Sequence, residues 1–291
     1  MLHTIENENL ICIIESKGAE IRSLKDKITG QEYIWQINPR IWGSSSPVLF
    51  PAIGNIIEGK ILYDQKEYAM PKHGIIRNND QLIFEKQGIS MCAFTLKSSK
   101  KTRQYYPFEF TFTVKYTLVD TRLCMTYQIT NNDSIPMHFV CGGHTAYACP
   151  ISDEVGLSDY VVEFPEHLNL EMYQLASSGL LSHKKSKIQT HKRVVSLSDT
   201  IFDNDALIFS NIPCDWVRLR KKSDTKGIVV RFTGYPHLAL WSKPSANFVC
   251  IEPWLGLPDR ENESIELIKK TNYKVIEPNT KFTITIDTII E

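Results

Sequence analysis

The feature that most constrains this chain is a strict alternation of large apolar and polar residues. From Phe108 through Phe110, Phe112, Val114, Tyr116 and Leu118, every second residue is large and apolar, with Glu109, Thr111, Thr113, Lys115 and Thr117 between them. Leu123, Met125, Tyr127 and Ile129 resume the pattern after the short link Val119-Asp120-Thr121-Arg122. Period two is the period of the pleat, in which successive side chains leave opposite faces of a strand. Two such runs joined by a short link predict a β-hairpin with one buried face. The C-terminal residues repeat it, with Phe282, Ile284 and Ile286 on one side and Thr283, Thr285 and Asp287 on the other.

Shorter β-like runs recur at Ile11–Glu15, Glu20–Leu24, Cys92–Leu96, Phe139–Cys141, Val217–Leu219, Gly227–Phe232, Leu238–Trp241 and Phe248–Ile251, with Asn, Asp, Gly and Pro between them. Only Glu263–Lys270 has a spacing that suits a turn or two of helix. Many strands without intervening helices exclude a βαβ architecture. They predict an all-β fold, a large antiparallel β-sandwich with very little helix. No low-complexity stretch, strict repeat or Pro/Ser-rich linker divides the 291 residues, so one domain over 1–291 is expected.

Lys+Arg 33 cancels Asp+Glu 33, which leaves no electrostatic footprint for nucleic acid or an anionic membrane surface. The basic cluster Lys184, Lys185, Lys187, Lys192 and Arg193 lacks interleaved aromatics and reads as a solvated loop. The N-terminal residues carry no basic n-region, and the apolar run Ile11 to Ile14 is too short for a signal peptide. No apolar stretch approaches the ~20 residues of a membrane-spanning helix. Cys12, Cys92, Cys124, Cys141, Cys149, Cys214 and Cys250 are odd in number, scattered and free of any CxxC, which suits reduced thiols. A cytoplasmic protein with no nucleic-acid or membrane partner is the expectation, and oligomeric state stays open.

Four segments are more polar or glycine-rich than the apolar runs that hold them: Ser44 to Asn55, Lys72 to Arg77, Cys141 to Tyr147 and Ile251 to Asp259. His144 follows Gly142 and Gly143, which let a backbone approach a ligand closely or adopt a conformation closed to other residues. A lone histidine beside a strand is more often a hydrogen-bonded, partly buried residue than a catalyst, and the Gly-Gly lead-in only brings the two readings level. His73 sits similarly, between Lys72 and Gly74. Glu252 lies between the apolar run Val249-Cys250-Ile251 and Pro253-Trp254. A carboxylate so placed is either salt-bridged or held in a pocket with a raised pKa, which makes a better general base. Trp254, two residues on, offers an apolar face of the kind sugar rings stack against.

Other chemistries fit less well. His138, Cys141, His144 and Cys149 suggest a metal site, but strand residues three apart point to opposite faces, which turns Cys141 away from both histidines. No metal is expected. Ser44–Ser46 is not a GxSxG elbow, and no GxGxxG or P-loop is present. Two histidines and a carboxylate remain, which is acid–base equipment without nucleophile or cofactor.

The order LFPAIG, KHGIIR, GGHTAY and EPWLGLPD resembles the aldose 1-epimerase (mutarotase) family, and within it the LacX-type branch. GAEIRSL (Gly18 to Leu24), Glu32-Tyr33-Ile34-Trp35 and Val275-Ile276-Glu277-Pro278-Asn279 are similar to that branch as well, so the resemblance runs from about residue 10 to the end. It implies a galactose mutarotase-like supersandwich that interconverts the α and β anomers of a free hexose such as galactose or glucose, without cofactor. It implies Glu252 as the general base at the C1 hydroxyl, His144 as the general acid at the ring oxygen, and His73 as a second histidine hydrogen-bonding near that oxygen. An aspartate anchor for substrate hydroxyls matches Asp205, with Asp203 in reserve, and Arg77 matches an arginine that binds substrate or braces its loop. Asn55 stands where many relatives carry a sugar- or phosphate-binding arginine, and Thr145 where proline is common. A hexose-6-phosphate 1-epimerase is the same-chemistry alternative, with Arg77, Lys60 and Lys72 the nearby cations. A non-catalytic sugar-binding or sensing protein is the other. Substrate preference would be set by loops such as Ser152–Asp159 and Glu171–Lys187.

Overall fold

A computed structural model describes residues 1–151, 156–191, 193–244 and 246–291. The alternating runs form the strands Phe110–Val119 and Arg122–Asn131, antiparallel in register from Val119↔Arg122 to Phe110↔Asn131. The turn is Asp120-Thr121, with Asp120 at φ 51°, a left-handed conformation that Asp tolerates better than most residues. Lys281–Ile290 pairs along the other edge of Arg122–Asn131. Around this centre, among the described residues, runs a sheet of nine strands in the order Val194–Ser196, Tyr160–Glu163, Trp216–Lys221, Ile228–Arg231, Lys281–Ile290, Arg122–Asn131, Phe110–Val119, Met91–Lys97 and Ile83–Lys86.

A second sheet of eight faces it. Its order is Leu181–Gln189, Asn169–Leu175, Leu207–Ser210, His237–Trp241, Phe248–Trp254, Gly142–Gly143 and Val48–Leu49, with Thr145–Ala148 also paired to Phe248–Trp254. Aromatic side chains fill the space between. Phe110, Phe112, Tyr116 and Tyr127 are fully buried, and three of the buried tyrosine hydroxyls find polar partners, as a dry interior favours. Tyr127 donates to the Gly142 carbonyl at 3.1 Å, Tyr116 to the Ala19 carbonyl at 2.6 Å, and the Tyr147 and Thr288 hydroxyls meet at 2.6 Å. Two of these three contacts tie one sheet to the other.

Three expectations need correction. Glu263–Lys270 is not helical beyond a 3-10 turn at Leu267–Lys269, and the helical pieces among the described residues are all such three-residue turns. Lys184, Lys185 and Lys187 lie on the strand Leu181–Gln189 and not in a loop; Lys185 pairs with Glu171 at 2.9 Å and Arg193 with Glu163 at 2.8 Å. Lys192 lies outside the described residues. The segment Glu171–Lys187 is accordingly most of a β-hairpin, Asn169–Leu175 against Leu181–Gln189. Residues 152–155 of the Ser152–Asp159 segment also lie outside the described residues. The cysteines are free thiols, and no helix among the described residues is long and apolar enough to cross a membrane.

Candidate active site

On the exposed face of the eight-stranded sheet lies a cleft of about 520 Å³. It is built by pairing across Phe248–Trp254. Glu252 sits opposite Ala239, and His144 follows the short strand Gly142–Gly143 that pairs with Trp254 and Val48–Leu49. The glycines before His144 are required by the crowding of the sheet. A Cβ on Gly142 would lie 2.7 Å from the Pro253 carbonyl oxygen, and one on Gly143 would lie 2.9 Å from Ile286 of the opposite sheet. They let the chain pass through a crowded layer, and His144 emerges on the cleft side.

His144 Nε2 and Glu252 Oε2 are 3.3 Å apart, and both residues are buried, Glu252 at 1% exposure. Burial drives both groups toward their uncharged forms. It lifts Glu252 well above the usual carboxylate range, with Lys72 pulling the other way, and it lowers His144 to about 3, with Arg77 adding to the fall. Both shifts favour a neutral carboxyl beside a neutral imidazole over the charge-separated pair. His73 stands beside them, its ring edge-on to His144 at 5.5 Å. Its Nδ1 accepts the Gly54 N–H at 3.1 Å, so in the neutral ring the proton is on Nε2. Desolvation, then the charges of His144, Lys72 and Arg77, hold His73 neutral. Its backbone is at φ 67° and that of Gly74 at φ 79°; a Cβ on Gly74 would fall 2.1 Å from the Phe50 carbonyl oxygen, so this turn requires glycine.

Apart from the 3.3 Å approach of His144 Nε2 to Glu252 Oε2, four buried polar atoms in this cleft have no hydrogen-bond partner among the described residues: Arg77 Nε, His144 Nδ1, Glu252 Oε2 and Trp254 Nε1. Leaving a buried polar group unpaired costs roughly 1–3 kcal/mol. Four in one cavity mark a place built for a polyhydroxylated or charged guest.

Trp42 and Trp241 escaped the sequence reading. Trp42 stacks on the His144 ring at 5.2 Å and 28°, and Trp241 meets it edge-on at 5.5 Å. Trp42 belongs to a loop without a motif, and Trp241 ends a run that reads as plain core, so neither carried a local signal. Lys72 and Lys243 also line the cleft, as do Asp203, Asn204 and Asp205 together. Asp205 is at φ 74° and its Oδ1 accepts the Ala206 N–H, which aims the rest of the carboxylate from a fixed turn.

Other expected residues are placed differently. Asn55 does not line the cavity; its side-chain amide donates to the Ser178 carbonyl at 2.8 Å and braces the turn carrying Gly179, which does. Lys60 is occupied elsewhere, paired with Glu58 at 3.1 Å and Glu67 at 2.8 Å. Asp259, at the end of the EPWLGLPD segment, is structural: it forms a buried ion pair with Lys270 and accepts the Ile57 N–H at 3.0 Å. His144, Cys250 and Glu252 bring an imidazole nitrogen, a thiol and a carboxylate oxygen within 4.8 Å of one another, donors of the kind that bind zinc, although Lys72 and Arg77 nearby oppose a cation. That grouping differs from the histidines and cysteines weighed in sequence.

The family model described as aldose 1-epimerase matches residues 1–272. The plasmid-encoded protein LacX of Lactococcus lactis subsp. lactis is 28% identical over 262 residues, covering 87% of each chain, and the chromosomal LacX matches to the same extent. Among solved structures, a galactose mutarotase related enzyme from Lactobacillus acidophilus superimposes with a TM-score of 0.93 at 31% identity, covering 100% of this chain and 97% of the other. A galactose mutarotase-like protein from Lactobacillus casei ATCC 334 gives 0.92 at 25% identity, with full coverage of both.

Proposed function

The chain belongs to the aldose 1-epimerase family, and from that premise we propose that its cleft interconverts the α and β anomers of a free hexose such as galactose or glucose by cofactor-independent ring opening and closure. The supporting observation is the buried His144–Glu252 pair at 3.3 Å, in a cleft whose polar atoms lack partners. Mutarotation needs one group to take a proton while another gives one, with no net change, and an adjacent carboxyl and imidazole can divide those roles.

In this reading Glu252 removes the O1 proton and His144 protonates the ring oxygen. The C1–O5 bond breaks as C1=O1 forms. The aldehyde turns about C1–C2, and the steps reverse on the other face. The reaction starts with His144 protonated and Glu252 ionised, whereas burial alone disfavours both charged forms. A sugar O1–H donating to Glu252, and a ring oxygen accepting from His144, both favour the charge-separated form, so substrate binding readies the pair. His73, neutral with its proton on Nε2, supplies a further donor. Asp205, Asp203 and Arg77 anchor hydroxyls, and Trp254, Trp241 and Trp42 offer ring faces. Asn55 acts on this site through the Gly179 turn.

A phosphorylated hexose is the second reading. It is favoured by Lys72, Arg77 and Lys243, which line the cleft without an ion-pair partner among the described residues. Polarimetry of freshly dissolved α-D-galactose, α-D-glucose and α-D-glucose 6-phosphate, with wild type and Glu252→Gln, tests both. Acceleration lost in the variant supports the epimerase. A kcat/KM at least tenfold higher for the phosphate supports the second reading. No acceleration of any of the three defeats both and leaves a sugar-binding protein.

A further inference from the structure

The face of the eight-stranded sheet that bears Glu252 carries a second cavity. Cross-strand partners share a face, and here they run Glu252↔Ala239, Ala239↔Ile208 and Ile208↔Tyr173, with His237 opposite both Trp254 and Ser210. One end of this strip opens into the catalytic cleft. The other end, at Tyr173, Ser210 and His237, opens into a separate, solvent-open cavity of about 500 Å³, lined also by Leu255, Leu257 and the 271–274 segment. Tyr173, Ile208, Ala239, Trp254 and Leu257 pack into an apolar wall between the two.

The chemistry of the second cavity is the reverse of the first. No Asp or Glu is among its lining residues, whereas Asp203, Asp205 and Glu252 line the cleft. Its cations are Arg260 and Lys274, and neither has a carboxylate partner among the described residues. The Arg260 guanidinium is held by a neutral group, donating to the Tyr173 hydroxyl at 2.7 Å and lying 4.8 Å from the ring centre. That leaves the rest of a planar donor fork uncommitted and oriented. His237 accepts the Asn211 N–H at 3.3 Å through Nδ1, so its neutral ring keeps a donor on Nε2. Ser210, Asn211, Thr271 and Asn272 add small polar groups of the kind that bind hydroxyls.

We propose that this second cavity is a non-catalytic site for a small phosphate-bearing ligand of monosaccharide size, with Arg260 and Lys274 on the phosphate and His237 and the small polar residues on the remainder. A fork of guanidinium donors suits the oxygens of a phosphate, and the volume matches that of the cleft next door. The site stands independently of the mutarotation reading, because it shares none of the proposed catalytic groups.

Calorimetric titration of the full chain with glucose 6-phosphate, inorganic phosphate and glucose tests it, in wild type, Arg260→Gln, Lys274→Gln and Arg77→Gln. The expected result is saturable binding of glucose 6-phosphate, weakened at least tenfold by Arg260→Gln and by Lys274→Gln, with a component untouched by Arg77→Gln. Lys274 is exposed, so its variant tests the site even where loss of Arg260 disturbs the fold. Comparison of inorganic phosphate with glucose 6-phosphate reads how much of the recognition lies in the phosphate alone, and either ranking supports the site. Binding abolished by Arg77→Gln and unchanged in Lys274→Gln would place the ligand wholly in the catalytic cleft and overturn the proposal. Absence of saturable binding to both phosphates would overturn it as well.

Discussion

In the nine-stranded sheet the strand Phe110–Val119 buries every second residue, whereas in the eight-stranded sheet Phe248–Trp254 is buried at all seven positions. The first strand has a wet face and a dry one, and its alternation follows from that. The second is covered on both faces, by the opposing sheet beneath and by the walls of the cleft above. A polar residue costs nothing at Thr113 of the first strand. At Glu252 of the second it is expensive, and the fold keeps it in a place that lifts its pKa well above the carboxylate range. Stability and chemistry are therefore separated: the aromatic layer on the nine-stranded sheet holds the sandwich together, and the eight-stranded sheet carries groups whose environment is costly.

Substitutions in the two sheets should accordingly fail differently. The largest effect expected is on catalysis: Glu252→Gln and His144→Asn should each lower kcat by about 10²–10⁴-fold, with the thermal midpoint little changed. A wild-type rate in either variant would remove the pair from the mechanism. Phe112→Ala, in the fully buried layer, should cost about 3–5 kcal/mol in urea unfolding while the folded fraction keeps its kcat/KM. A kinetic loss of comparable size would show that the sheets are not separable. Trp42→Ala, which strips one ring from His144, should reduce kcat/KM by roughly 10–100-fold through misplacement of the imidazole; a shift in stability without a shift in rate would make Trp42 plain core.

The pH dependence of stability sharpens the same contrast. His144, lowered to about 3, His237, lowered to about 4, and His73, lowered by desolvation, stay neutral when folded. Below about pH 6.5 the unfolded chain binds protons that the folded one refuses, so stability falls with falling pH by about 1.4 kcal/mol per unit for each histidine. Glu252 opposes this: its folded pKa is raised, so its contribution favours the folded state at low pH and is lost as pH rises above the ordinary carboxylate value. The net slope should remain positive between pH 4.5 and 6.5 on the histidine count, and His237→Gln should flatten it; a urea midpoint independent of pH there would contradict the burial of these rings. Smallest of all, Thr126→Ala should cost under about 1 kcal/mol, since its hydroxyl meets that of Thr285 at 2.9 Å on the open face of the nine-stranded sheet.

What the chain states locally, it states well. Side chains on a strand with one wet face repeat every two residues, so Phe110 to Leu118 announces the nine-stranded sheet without reference to anything distant. Glu252 was legible because a carboxylate inside Val249-Cys250-Ile251 has no solvated place to go. The Gly-Gly signal before His144 has a packing reason of its own, since a Cβ at Gly142 or Gly143 would crowd the neighbouring strand or the opposing sheet. The tertiary structure alone decided the rest. Trp42 and Trp241 reach His144, Asn55 and Lys60 turn to other partners, and Arg260 lies over Tyr173 and donates to its hydroxyl, all between segments far apart in sequence. Alternation is written residue by residue because the pleat is local. A cleft is made of faces that meet only after folding, and no single stretch of chain records which faces those will be.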